Sequence, residues 1–205
     1  DDVKASEYFK GSSSLSRTGY AEYWAGMMFQ QGEKGFIEPN KQKALHWLNR
    51  NTRAGSQRNI AAHYDLGNEL FERFLDPTMM YSAAMFATPE QSLEDAQLHK
   101  LERICAKLDL QADDHLLEIG TGWGSMALYA AIQHGCRVTT TTLSHEQFAY
   151  TQRRIEEEGL QDRITLLLKD YRDLEGRFDK LVSIEMVEAV GHDFLPGYFR
   201  QCARL

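Results

Sequence analysis

The spacing of apolar residues changes character part-way along the chain. Beyond about residue 114, short apolar or β-branched runs alternate with helical stretches. Leu116 to Ile119, Arg137 to Thr142, Ile164 to Leu168 and Lys180 to Ile184 read as strands. Gly122 to Gln133, Ser144 to Glu158 and a stretch from Asp193 towards Leu205 read as helices, the second opened by a Ser144/Gln147 capping box. Strands alternating with helices imply a parallel sheet with right-handed crossovers, so the expected class is α/β and doubly wound. Four strands are visible, whereas a mean sheet has about 5–6. The sheet is therefore expected to be completed by chain lying beyond Leu205.

Upstream the period is helical. His63 to Asp76 is expected to be a helix, and Pro77 with Met80, Tyr81 and Ser82 marks a loop. Ser92, with Asp95 three residues on, caps a predicted helix to Leu108 whose buried stripe reads Leu98, Leu101, Ile104, Cys105 and Leu108. Residues 1–60 differ again. A flexible Gly11 to Ser14 loop precedes a cluster of Tyr20, Tyr23, Trp24, Met27, Met28 and Phe29, and Asn40 is placed to cap a helix through about Arg50. We read residues 1–60 as a helical N-terminal appendage and linker, and 61–205 as the main domain.

Composition narrows the classes of partner. Of 205 residues 42% are hydrophobic, enough for a packed core, and 30 acidic against 23 basic side chains give a formal charge of -7. That balance argues against nucleic acid as a partner. The three cysteines, Cys105, Cys136 and Cys202, are far apart, with no metal-ligand or disulfide-framework spacing, as suits a reducing cytosol. No apolar run approaches the ~18 residues that would span a bilayer. A soluble or peripheral protein is expected.

Glu118-Ile119-Gly120-Thr121-Gly122-Trp123-Gly124 joins the first strand to a helix. Glycines there allow a tight turn and close approach of a ligand to the backbone. The spacing is G-x-G-x-G rather than the dinucleotide G-x-G-x-x-G, and the second strand ends in Thr139 to Thr142 without the acid that would bind an NAD ribose. No G-K-[ST] follows, which excludes a P-loop. The loop resembles the first motif of S-adenosylmethionine-dependent methyltransferases. The cationic ammonium and sulfonium of that cofactor would favour a nearby Glu118 or backbone carbonyls.

Further motifs sharpen the resemblance. His63 to Asn68, Leu75 to Ser82, Leu116 to Gly124, Thr142 to Gln147, Asp170-Tyr171-Arg172 and Ser183 to Gly191, in this order and spacing, resemble the cyclopropane fatty acid synthase and mycolic acid cyclopropane synthase family over about residues 58–205. The resemblance implies a Rossmann-like class I methyltransferase fold. It also implies that Tyr81 and Ser82 lie over the cofactor, and that Gly120, Gly122 and Gly124 line its methionine and ribose. Thr142, Leu143 and Gln147 would hold the ribose hydroxyls and adenosine edge. Asp170 would accept the adenine amino group, with Tyr171 and Arg172 flanking the ring. Glu188 would help to hold a bicarbonate acting as general base, making Glu188 and Tyr81 the catalytic candidates. Two departures stand out. Ala83 and Ala84 follow Tyr81-Ser82 where the family often has Cys, and a His and a Tyr of the anion site come from farther along the family's chain than this sequence reaches.

The implied reaction moves a one-carbon unit from S-adenosylmethionine to the double bond of an unsaturated phospholipid acyl chain. A carbocation would then resolve to a cyclopropane or a methylated chain. The implied location is cytoplasmic, at the inner face of the membrane, and a homodimer is one assembly left open. Between Pro39 and His63 there are five Lys or Arg and no acid. That basic, aromatic segment is a candidate for headgroup contact, against the alternative of a solvated linker. Two other readings stay open: a methyltransferase for a small polar acceptor, and a binding module that holds the cofactor without catalysis.

Overall fold

A computed structural model describes residues 68–205, together with Thr52, Gly55, Ser56, Asn59 and Ile60. The Asn40-capped helix, most of the 1–60 appendage, Lys41, Lys43, Arg50 and Arg53 of the basic segment, and His63 to Gly67 lie outside the described residues. The chain divides into two units, Asp1–Ala62 and His63–Leu205, and the architecture below is that of the second.

Its centre is a parallel sheet of four strands: β1 (His115–Ile119), β2 (Arg137–Thr142), β3 (Ile164–Leu168) and β4 (Lys180–Val182), in the order β3-β2-β1-β4. The helices are α1 (Asn68–Glu72), α2 (Leu93–Leu108), α3 (Ser125–His134), α4 (His145–Glu157) and α5 (Leu195–Arg204), with 3-10 turns at Tyr171–Asp173, Val187–Ala189 and His192–Phe194. Side chains alternate across the sheet, so neighbours on β1 enter different cores. Leu116 joins Val138, Ile164 and Val182 against α2, α3 and Ile155 of α4, whereas Leu117 and Ile119 face Tyr198 and Leu205 beside α5. Both faces are covered, as a parallel sheet requires. Leu116 and Leu117 are fully buried, each contributing about 1.5–3 kcal/mol of apolar burial.

The differences from the predicted elements have local causes. The α3 helix starts at Ser125 rather than Gly122, because Gly120, Gly122 and Gly124 all have positive φ and cannot enter an α-helix. The fourth strand stops at Val182, because Glu185 turns the chain with a φ of 46°. Among the described residues of the predicted 63–76 helix, α1 ends at Glu72, and the amides of Phe74 and Leu75 fold back to the Phe71 carbonyl. Ser92 caps α2 as expected, its hydroxyl accepting from the Asp95 amide at 3.0 Å. The buried face of α2 is rotated, however. Leu98 is exposed, and Gln97 and Lys100 take buried positions beside Ala96, Leu101 and Cys105.

Candidate active site

The strands all point one way, so their carboxyl ends gather the loops after β1, β2, β3 and β4 at one edge of the sheet, where such folds bind ligands. The glycine loop is anchored to β2. The amides of Gly120 and Thr121 both donate to the Thr141 carbonyl, at 3.1 and 3.0 Å. The three glycines serve different ends. A side chain at Gly122 would meet nothing within 4 Å, so its backbone edge is open to a ligand. A Cβ at Gly120 would lie 3.5 Å from Met186, on the segment after β4. At Gly124 it would lie 2.7 Å from the Thr151 methyl, so this glycine lets α4 pack against the start of α3.

Thr139 to Thr142 are buried, and each hydroxyl has a partner. Thr139 bonds His115 Nε2 at 2.9 Å, and Thr140 donates to Glu118 Oε2 at 2.6 Å while sharing a 2.7 Å bond with Thr121. Thr141 donates to the Leu167 and Lys169 carbonyls, and Thr142 to Gln147 Oε1 at 2.8 Å. Glu118 is only 2% exposed, and burial pushes its carboxyl up to about 8, with the Thr140 bond opposing. The side chain is held under the glycine loop by Thr140, which is bonded in turn to Thr121. Gln147 was expected to close a capping box. The Ser144 hydroxyl does accept from the Gln147 amide, at 3.2 Å, but the Gln147 carboxamide reaches Thr142, whose hydroxyl in turn accepts from the Ser144 amide. The box is completed through Thr142, which ties the end of β2 to the start of α4. Leu143 is half-buried between them.

The segment from Asn68 to Ala83 is seated on this loop. Trp123, 1% exposed, packs its ring 4.6 Å from Phe71 and donates from Nε1 to Asn68 at 2.7 Å. The Ser125 hydroxyl and Arg154 both donate to the Thr78 carbonyl, and the same Arg154 nitrogen donates to the Trp123 carbonyl at 3.0 Å. Tyr81 follows, its ring edge-on to Phe71 at 5.7 Å and to Trp123 at 6.3 Å, and remains 45% exposed. The Ser82 hydroxyl is turned inward, accepting from Lys100 Nζ at 2.7 Å. Ala83 donates its amide to Glu185 at 3.0 Å, which links this segment to the turn after β4.

Beyond β3, Asp170 is buried. Its Oδ1 accepts from the Arg172 amide and Nε, at 2.9 and 2.8 Å, and its Oδ2 from Arg172 Nη2 at 2.5 Å. The Arg172 guanidinium also lies 5.4 Å from the centre of the Tyr171 ring. The three residues form one knot, in which the arginine fork engages both carboxylate oxygens. Glu188 sits on the exposed Val187–Ala189 turn, three residues past Glu185. The structure thus brings the glycine loop, Tyr81 to Ala83 and the segment around Met186 into contact. Sequence reasoning missed Gln97, Lys100, Arg154 and Glu185. A signal for the first two was present, since a polar pair three apart on the apolar stripe of α2 is unusual unless it is satisfied inside.

The family model described as mycolic acid cyclopropane synthetase matches residues 51–205. The chain belongs to that family. It is 40% identical over 189 residues to tuberculostearic acid methyltransferase UfaA1 of Mycobacterium tuberculosis, covering 83% of this chain and 44% of the relative. It is 47% identical over 137 residues to cyclopropane-fatty-acyl-phospholipid synthase of Escherichia coli K12, covering 67% of this chain and 35% of that one. Among solved structures it resembles mycolic acid cyclopropane synthase CmaA1 complexed with SAH and CTAB, with a TM-score of 0.70 and 32% identity over 72% of this chain and 52% of that one. The fold is therefore that of the class I methyltransferases to which these synthases belong. The chain spans less than half the length of these two curated relatives of the synthetase family.

Proposed function

We propose that the protein transfers a one-carbon unit from S-adenosylmethionine to the double bond of an unsaturated phospholipid acyl chain, and that residues 61–205 carry the cofactor site. The observation that supports this most is the open backbone edge at Gly122, at the carboxyl end of the sheet, with the Tyr81 segment fastened beside it. These residues suit the cofactor. Gly120 and Gly122 leave room for its methionine end, Thr142, Leu143 and Gln147 flank the place for its ribose, and Asp170 with Tyr171 and Arg172 that for its adenine. When bound, the cofactor supplies an electrophilic methyl on a sulfonium. Exposed Phe74, Met85 and Phe86 on the stretch that also holds Tyr81 offer apolar surface for an acyl chain. The tyrosine face can stabilise positive charge developing on that chain. The exposed Glu188 carboxylate can accept a hydrogen bond from a bicarbonate that removes the proton.

Similarity to both a relative named as a methyltransferase and one named as a cyclopropane synthase suits a common first step with two outcomes, a methylated chain or a ring. The substrate lies in a membrane, so we place the protein at the cytoplasmic face, with residues 40–58 touching headgroups. No described helix is long and apolar enough to cross a bilayer.

The test is to give the full-length protein methyl-labelled cofactor and vesicles of an unsaturated phospholipid, then analyse the lipids by mass spectrometry and chromatography. Gain of one labelled carbon on the acyl chain is expected, and retention on the column separates ring from branch. Label found only in polar acceptors would replace this reading with the small-acceptor methyltransferase. Cofactor binding without transfer would favour a binding module.

A further inference from the structure

Lys100 has no part in the site as read from sequence, yet it is buried beneath it. It lies on α2 with a relative exposure of 4%. Its Nζ donates to the Ser82 hydroxyl at 2.7 Å, the Ser82 carbonyl at 3.2 Å and the Ala83 carbonyl at 2.8 Å, which uses all three ammonium hydrogens on two consecutive residues. One turn earlier, Gln97 Nε2 donates to the Met80 carbonyl at 3.1 Å and the Ser82 carbonyl at 2.8 Å. From the other side, Glu185 accepts from the Ala83 amide at 3.0 Å. Every backbone carbonyl from Met80 to Ala83 that these side chains reach is gripped from α2, and Tyr81, between the gripped residues, is left facing Trp123 of the glycine loop.

We propose that Lys100 is a positioning residue whose ammonium, from inside the molecule, holds the Tyr81-Ser82 backbone at the mouth of the glycine loop and thereby sets cofactor affinity. This rests on the reading that S-adenosylmethionine binds at that loop. A buried lysine is a costly way to satisfy three acceptors, and a methionine would fill the same space. The ammonium adds three donors that converge on Ser82 and Ala83 and hold this loop in one place. Burial lowers Lys100 to about 8, with Glu185 and then Asp76 acting to raise it. Those two carboxylates are the charged groups acting on it, one from the turn after β4 and one from the start of the loop below. As pH rises through about 8, the side chain therefore loses its charge and one of its three donors.

The test uses S-adenosylhomocysteine as the probe, titrated calorimetrically into wild type, Lys100→Met and Lys100→Arg, with melting temperature recorded alongside. At neutral pH the methionine variant is expected to bind roughly tenfold more weakly, and the arginine variant, which keeps the charge and a fork of donors, to recover most of that loss. Between neutral pH and about 9.5, wild-type affinity is expected to fall relative to Lys100→Arg, because arginine stays charged there. A residue that only filled space would show neither the rescue nor the difference in pH profile. Equal binding by wild type and a folded Lys100→Met overturns the proposal. Should Lys100→Met not fold, the comparison of wild type with Lys100→Arg decides, and parallel pH profiles overturn it. If wild type itself does not bind the probe, it is the cofactor reading that fails.

Discussion

Gly124→Ala tests whether the third glycine of the loop is there for packing. The residue has a φ of 89°, which costs an L side chain about 1–2 kcal/mol. The new methyl would lie 2.7 Å from Thr151 Cγ2 and 3.2 Å from Thr151 Oγ1, and overpacking of this kind typically costs about 1–3 kcal/mol. Reduced freedom of the unfolded chain returns about 0.4–1 kcal/mol. The net expectation is a loss of about 1–5 kcal/mol, read as a lower urea midpoint at unchanged slope. Gly122→Ala, with a φ of 54° and no neighbour in reach, should lose only the backbone part. Thr151 is fully buried and its hydroxyl lacks a partner, so Thr151→Ala removes both clashing atoms and an unsatisfied oxygen. In the double variant the steric part should disappear, giving a favourable coupling of about 1–3 kcal/mol. Coupling near zero, or a Gly124→Ala variant within about 0.5 kcal/mol of wild type, would refute the packing account and return Gly124 to a purely ligand-facing role.

Other expectations follow from the same geometry. Glu118 has a raised carboxyl in the folded state, so its contribution to stability is fully present below about 4.5 and is lost as pH rises through about 8. Glu118→Gln should therefore gain on wild type in urea midpoint across that window, and a constant difference would contradict the burial argument. Arg172→Lys should fail to replace the fork on Asp170 and cost about 1–3 kcal/mol, nearly as much as Arg172→Ala, by the same unfolding assay. Arg154→Met removes the donor shared by the Thr78 and Trp123 carbonyls, and limited proteolysis should then cut faster between residues 73 and 91. Replacing Lys41, Lys43, Arg50 and Arg53 by Gln should weaken sedimentation with anionic vesicles at low salt, and unchanged binding would discard the headgroup role.

Periodicity placed β1, β2 and β3 within a residue of where they lie, because buried parallel strands are short apolar or β-branched runs with little else to resemble. It misplaced the start of α3 and the end of β4, where the backbone leaves ordinary φ values at Gly122, Gly124 and Glu185. Composition marks a glycine as permissive but does not say that it is used, and it gives no warning at all for Glu185. On α2 the apolar pattern rotated the helix towards Leu98, because Lys100 and Gln97 counted as polar when both point inwards. Apart from the Ser82 hydroxyl, their partners are main-chain carbonyls of Met80, Ser82 and Ala83, which carry no mark in a sequence. The Thr139 to Thr142 run read as a strand lacking an acid. That its four hydroxyls each close on a different neighbour is a matter of three-dimensional proximity.

The seat of the Tyr81 segment is made at the Thr78 carbonyl, which receives the Ser125 hydroxyl and Arg154. Every amino acid offers the same carbonyl, so the information that docks this end of the flap resides in α3 and α4 rather than in the flap. Residues 84–91, beyond the part gripped by Gln97 and Lys100, are then free to diverge in shape and greasiness without the segment coming unfastened. Exchanging that stretch between relatives should be tolerated for as long as Ser125, Arg154, Gln97 and Lys100 stay in place.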